Sequence, residues 1–278
     1  MGGSAVGVSG GEAAYLAAVL GEDASGALGR EAAAEVLDGF ARGVPVEEMA
    51  ARRAMILSRA RARMAARAAP APADLRSDTG RDAVTVTSDE ITHDGFFLTR
   101  RYALRHPRFD GGQSAEVARE VFVATDAALV LPYDPVRDRV LLVEQFRMGP
   151  FGRGDPRPWT LEPVAGRIDG GESPEACARR ECEEEAGLAI RRLETISSHY
   201  CTPGYSTEFF HIFIGLCDLP EARQGRGGLP SEHEDIRTHV IGFDRAMGLI
   251  DSGEANNGPL VLCLLWLARE RARLRSAG

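Results

Sequence analysis

The stretch from Gly166 to Leu188 restricts the fold of this chain more than any other: Gly-Arg-Ile-Asp-Gly-Gly-Glu-Ser-Pro-Glu-Ala-Cys-Ala-Arg-Arg-Glu-Cys-Glu-Glu-Glu-Ala-Gly-Leu. It reads as a glycine-rich loop that enters a helix carrying a dense acidic run. Ser173 is a good N-cap and Pro174 suits the first helical position. Residues 176–186 are strong helix formers, and Gly187 can take the left-handed conformation that ends a helix. On that helix Glu181 and Glu185 are four apart and share one face, while Glu184 lies one turn from Glu181 on a neighbouring ridge. Like charges at this spacing repel by a few tenths of a kcal/mol. A metal site reverses that cost, because magnesium takes hard oxygen ligands, keeps several waters and shares its shell with substrate phosphates. Arg180, four residues before Glu184, is read as an orienting residue folded toward Glu172. The competing reading is a solvated, charge-laced surface helix. The loop from Gly166 to Glu172, at its set distance from the acidic run, favours the metal reading.

Composition limits the partners. With 33 basic and 41 acidic residues the formal charge is −8, which argues against broad binding to nucleic acid or an anionic membrane. An anionic small substrate is still accommodated, since a cation and local arginines neutralise phosphate. The chain has no lysine, which reflects coding bias more than function. Five cysteines, an odd number with no Cys-x-x-Cys, suit a reduced, cytoplasmic protein. The histidines show no ligand spacing, so a zinc site is not expected. The longest apolar runs, Ala13–Leu20 and Leu260–Ala268, are too short to span a bilayer, and the first lacks the basic flank of a signal peptide.

Residues 1–80 are rich in Ala, Arg and Gly and poor in large apolar side chains. They are expected to form a helical extension, with helices over Glu31–Arg42 and Val46–Ala68. Arg59, Arg61, Arg63 and Arg67 crowd the end of the second helix, as a basic docking surface or as favourable charge at a helix C-terminus. Ala69–Ala73, alternating Ala and Pro, reads as a linker. Residues 81–278 are expected to form the main domain. Strands are predicted at Val84–Thr87, Phe96–Leu104 and Val117–Ala124, a small antiparallel group within 84–124. A hairpin follows from Ala127–Pro132 and Arg139–Phe146, then strands Trp159–Ala165, Ile190–His199, Glu208–Leu216 and Ile236–Phe243. Helices Asp244–Asp251 and Leu260–Arg275 close the chain. Strands with helices on more than one side predict an α/β/α sandwich.

Gly166, Glu172, Arg180, Glu181, Glu184, Glu185 and Gly187 occupy the fixed positions of G-x5-E-x7-R-E-U-x-E-E-x-G-U, where U is a bulky apolar residue. Leu188 fills the second U; Cys182 fills the first imperfectly, with only a packing difference expected. This pattern resembles the Nudix box of hydrolases that cleave a nucleoside diphosphate linked to another group. The resemblance extends from about residue 84 to 270, through Asp94–Phe97, Leu131–Asp138, Val143–Arg147, Glu162–Gly166, Thr202–Ser206 and Ser231–Arg237, to the bacterial ADP-ribose pyrophosphatases. Pro203, sixteen residues beyond Gly187, stands where that family marks ADP-ribose-type substrates. The helices of residues 1–80 also resemble, faintly, the end of a γ-glutamylcyclotransferase-like domain.

The resemblance implies a Nudix-type α/β/α sandwich and a site. The carbonyl of Ala165 and the carboxylates of Glu181 and Glu185 would bind Mg2+, with Mn2+ as substitute, and Glu184 would assist directly or through water. Glu232 and Glu234, on a loop flanked by Gly225–Gly228 and Pro230, would supply a base and a further metal ligand. Glu232 is chosen for the base and Glu234 for the ligand, with the opposite order open. Arg147 would contact substrate phosphate or ribose, Glu162 the adenosine end, and Gly204 the substrate. Phe97 and Arg119 would reach the site from the partner subunit of a homodimer. The implied reaction is hydrolysis of ADP-ribose to AMP and ribose 5-phosphate. Other nucleoside diphosphate sugars, GDP-mannose or ADP-glucose, are the near alternatives. A Nudix-fold sensor is the distant one, disfavoured by an intact box and by the lack of a convincing helix-turn-helix.

Overall fold

The computed structural model describes residues 9–220, 225–228 and 234–276. The chain divides into two compact units, one made of residues 1–126, 169–171 and 200–208, the other of 127–168, 172–199 and 209–278.

The first unit combines helices with a small sheet. Helix α1 (Gly10–Leu20) starts at a capping box in which Ser9 and Glu12 satisfy each other's backbone N–H groups. It is followed by α2 (Ala27–Ala41), α3 (Val46–Ala51) and α4 (Arg53–Ala68). The single helix expected over Val46–Ala68 is therefore two, broken at Arg52, whose backbone (φ −94°, ψ 1°) leaves the helical region. Val19, Leu20, Ala32, Val36, Met49, Ile56 and Ala60 form the helical core. The arginines at the end of α4 are neither a free basic surface nor mere helix-end charge. Arg59 is buried against Glu35 of α2 (Nε to Oε1, 3.0 Å), Arg63 and Arg67 pair with Glu31, and Arg61 pairs with Asp126 at 3.0 Å. Strands β1 (Thr85–Asp94), β2 (Leu98–Arg105) and β3 (Val117–Val123) form an antiparallel sheet in that order. Asp94 ties the sheet to the helices by accepting from Arg42 and by an ion pair with Arg52.

The second unit is an α/β/α sandwich. Its sheet has the order β10-β11-β5-β4-β9-β8, with β6 added on β5 and β7 on β4. The strands are β4 (Asp126–Asp134), β5 (Arg139–Phe146), β6 (Trp159–Glu162), β7 (Val164–Arg167), β8 (Arg192–Tyr200), β9 (Phe209–Leu216), β10 (Arg226–Gly227) and β11 (Ile236–Gly242). Helix α5 (Met148–Arg153) follows β5, and α6 (Pro174–Ala186) follows β7. Helices α7 (Phe243–Ser252) and α8 (Gly258–Ser276) close the chain. Alternation along the central strands sends side chains to two cores. Leu129, Leu131, Tyr133, Val140 and Leu142 pack with residues of α7 and α8. Ala128, Val130, Leu141 and Val143 pack with Cys177, Ala178 and Cys182 of α6. The hairpin between β4 and β5 turns on Asp134, whose Oδ1 accepts from the N–H groups of Val136 and Arg137. Trp159–Ala165, expected as one strand, is two: Pro163 interrupts it, and the chain passes from pairing with β5 to pairing with β4.

Candidate active site

Helix α6 forms as its sequence dictates. The Ser173 hydroxyl accepts from the N–H of Ala176, Pro174 opens the first turn, and Gly187 ends the helix with φ 58°. The helix lies against β7. A Cβ at Gly166 would fall 1.8 Å from Oε1 of Glu181, so only glycine leaves that carboxylate its position. On the far side, a Cβ at Gly227 of β10 would lie 1.7 Å from the carbonyl oxygen of Glu185.

Arg180 is the hub of the acidic face. Its Nε and one terminal nitrogen each donate to Glu172 at 2.9 Å; the other terminal nitrogen donates to Glu181 at 2.6 Å and Glu184 at 2.9 Å. It also reaches the carbonyl of Arg167 at 3.2 Å. Spacing alone suggested an orienting arginine, and the geometry places it between three carboxylates.

Glu185 is buried, 2% exposed. The backbone N–H of Ala165 donates to its carboxylate, and its Oε2 has no hydrogen-bond partner among the described residues. Burial raises its pKa to about 9, reinforced by the charges of Glu181 and Glu234. Burial also lifts Glu181 to about 7; the Arg180 guanidinium works against that rise, while Glu184 and Glu234 add to it. Glu234 thus lies within electrostatic reach of both. Glu232 falls outside the described residues. Among those described, no group of three His, Cys, Asp or Glu side chains is already gathered as a metal-holding set. The residues nonetheless fit a hard divalent cation. All donors are oxygens, one of them buried and unpartnered among the described residues, and the repulsion from Glu181, which helps raise the pKa of Glu185, is one that a bound cation would relieve.

Arg147 and Glu162, assigned separate substrate contacts from the sequence, hold each other. Arg147 Nε donates at 2.9 and 3.1 Å and a terminal nitrogen at 2.7 Å. Arg147 also acts electrostatically on Glu185, which puts the pair beside the acidic face. The sequence reading missed this pair, and it missed Gly227, although the glycine-rich run before Glu234 was a signal for the latter. Phe97, Arg119 and Gly204 belong to the first unit. Phe97 is half exposed and packs on Phe96 and Phe122 with ring centroids 4.9 and 4.8 Å away. Arg119 stands exposed on β3, and Gly204 is exposed in a turn. That turn is held to the end of β3: Phe122 donates to the carbonyl of Tyr205 at 2.7 Å and accepts from Thr207 at 3.0 Å.

The family model described as NUDIX domain matches residues 123–261. The chain is 40% identical over 205 residues to an ADP-ribose pyrophosphatase of Escherichia coli (strain K12), covering 74% of this chain and 97% of that protein. It is 37% identical to an ADP-ribose pyrophosphatase of Haemophilus influenzae over 70% of this chain and 90% of the relative. Identity is 33% to a GDP-mannose pyrophosphatase of Salmonella paratyphi B, over 66% and 94%. A solved structure titled as that of an ADP compounds hydrolase superposes with a TM-score of 0.55 at 20% identity, over 71% of this chain and all of the other. The chain belongs to the Nudix family.

Proposed function

We propose that this protein hydrolyses ADP-ribose to AMP and ribose 5-phosphate with Mg2+, for which Mn2+ substitutes. Relatives named for that activity align over nearly their whole length. The observation that carries the reading is Glu185: a buried carboxylate with one oxygen unpartnered among the described residues, crowded by Glu181 and Glu234. When bound, the cation neutralises the diphosphate and lowers the pKa of a water for attack at phosphorus. Glu181, Glu185 and the Ala165 carbonyl would hold it, with Glu234 as a further ligand and Glu184 assisting. Arg180 keeps Glu181 and Glu184 oriented. Glu232 is assigned the base, with the exchange of roles between Glu232 and Glu234 open. A positioned base contributes about 10²–10⁴-fold. Arg147 would leave Glu162 for substrate phosphate or ribose, which frees Glu162 for the adenosine end. Gly204 would line the substrate site, and Phe97 and Arg119 would complete it across a homodimer.

Among the described residues no helix is long and apolar enough to cross a membrane, and all five cysteines are free. We place the protein in the cytoplasm on the latter ground. Identity to GDP-mannose pyrophosphatases gives a specific second reading, another nucleoside diphosphate sugar. Incubating the protein with Mg2+ and ADP-ribose, ADP-glucose or GDP-mannose, and resolving products by chromatography, decides between them. Fastest turnover of ADP-ribose to AMP is expected. A preference for GDP-mannose would replace the first reading with the second.

A further inference from the structure

Gly170 lies inside the box loop, two residues before Glu172. A Cβ there would sit 2.8 Å from Cβ of Leu57 and 3.1 Å from Cδ2 of Leu28, with the Leu57 carbonyl carbon at 3.5 Å. Carbon–carbon contacts are comfortable at about 3.5–4.0 Å, so a side chain at this position would force the loop and the helix apart. The φ angle of Gly170 is not positive. Its lack of a side chain therefore serves close approach. Leu28 lies in the first turn of α2 and Leu57 in α4, and both pack against the helical core. Residues 169–171 belong to the same compact unit as those helices.

The loop is short and anchored on both sides. Before it, Ile168 is buried, 1% exposed, beside Cys177 and Cys182 of α6 in one core. After it, Glu172 accepts twice from Arg180, which also holds Glu181 and Glu184. A shift at Gly170 has few bonds over which to dissipate before it reaches Glu172. Helices α1–α4 precede the first residue that the NUDIX model matches.

We infer that the N-terminal helices position the catalytic loop: Leu28 and Leu57, seated on the bare backbone of Gly170, set the place of Glu172 and so the orientation of Arg180, Glu181 and Glu184. Leu28, Leu57 and Gly170 are positioning residues and touch no substrate. The inference rests on the proposed hydrolysis only for its activity readout.

The test uses the full chain. Gly170→Ala adds the colliding carbon, Leu57→Gly added to it removes the carbon it meets, and Leu28→Ala loosens the contact without a clash. For Gly170→Ala we expect kcat to fall at least about tenfold, within the ~10²-fold that a 1 Å misplacement can cost. KM should stay within about twofold, the signature of a loss felt in the transition state, and half-maximal rate should need more Mg2+. The double variant should regain most of the rate. In cation-free Leu28→Ala, amide exchange over 166–173 should rise at least about fivefold while the body of α6 stays protected, a local opening. Exchange is also the deciding measurement if Gly170→Ala does not fold. Wild-type kcat and Mg2+ requirement in Gly170→Ala, or unchanged loop exchange in Leu28→Ala, overturns the inference. If the wild-type protein turns over no nucleotide sugar, the proposed function fails, and loop exchange still decides the role of the helices.

Discussion

Glu185 is a buried carboxylate and Glu181 a partly buried one held by Arg180, and the proposed cation-binding role of the pair fixes what their removal should do. Altering the outer partners of a metal site typically costs ~10–100-fold, so Glu181→Gln and Glu185→Gln should each lower kcat by at least about 10²-fold with the fold retained. Near-wild-type rates in both at saturating Mg2+ would remove the metal assignment. The raised pKa values carry a second expectation. Glu185 binds its proton up to about 9 in the folded chain, against 4.5 for an ordinary glutamate. Between those pH values the folded state holds more protons than the unfolded state, so this group's contribution to stability is lost as pH rises. In cation-free buffer Tm should therefore fall from pH 6 to 9, Glu185→Gln should flatten that fall, and added Mg2+ should stabilise more at pH 9 than at pH 6. A Tm independent of pH in this window would contradict the buried, protonated carboxylate. For the loop, Glu232→Gln should lower kcat and kcat/KM together, whereas Glu234→Gln should raise the Mg2+ requirement. If Glu232→Gln keeps more than about a tenth of kcat, the loss is below the ~10²-fold scale of a general base, and Glu234 takes that role. At this scale the sequence was readable where chemistry is local. Arg180 and its carboxylates are within one loop and one helix, so spacing revealed them. The Arg147–Glu162 pair joins the residue that follows β5 to the end of β6, a contact that no local pattern encodes.

Helices and strands were readable to the extent that their own residues decide them. The cap, first turn and stop of α6 all follow from Ser173, Pro174 and Gly187. The break between α3 and α4 does not follow, because Val46–Ala68 holds neither Gly nor Pro and Arg52 leaves the helix for tertiary reasons. Its guanidinium pairs with Glu48 one turn back and with Asp94 of β1. Strand β1 runs to Asp94, beyond the expected Thr87, because pairing from Thr85↔Arg105 to Asp94↔Leu98 carries a polar segment that has little strand pattern of its own. The α2–α4 contact permits a prediction for the element. Arg59 and Glu35 are 4% and 8% exposed and bonded to each other. Removing one member of a buried pair typically costs about 3–5 kcal/mol, since the other charge is left unpaired. Glu35→Ala should thus destabilise the helices by about 3 kcal/mol, the lower end because Arg59 is long enough to reach toward water. Replacing both by Met and Leu should recover much of that loss. Equal denaturation midpoints for Glu35→Ala and wild type would show that the pair contributes nothing.

At the scale of the whole molecule the three-stranded sheet is the feature that asks for a second chain. A sheet of β1, β2 and β3 has two edges, and edge strands present unpaired N–H and C=O groups that proteins cover or blunt. Beside it Phe96 is 74% and Phe97 49% exposed, in ring contact with each other. Clustered exposed aromatics mark contact surfaces more often than isolated ones do. We therefore expect a homodimer in which residues 84–124 cover one another or the partner's site. Sedimentation at micromolar concentration should give twice the 29.9 kDa of one chain. Phe97→Asp would place a charge in an apolar contact, where an unpaired charge is strongly disfavoured. It should shift the protein toward monomer and lower kcat/KM in parallel, while Tm of the monomer stays that of a folded protein. Arg119→Ala should leave the dimer intact and raise KM, because an exposed arginine on β3 that serves a partner's substrate site contributes to binding, not to assembly. A monomer at micromolar concentration with full activity would rule out the shared site, and it would leave Phe97 and Arg119 as surface residues of a self-sufficient chain.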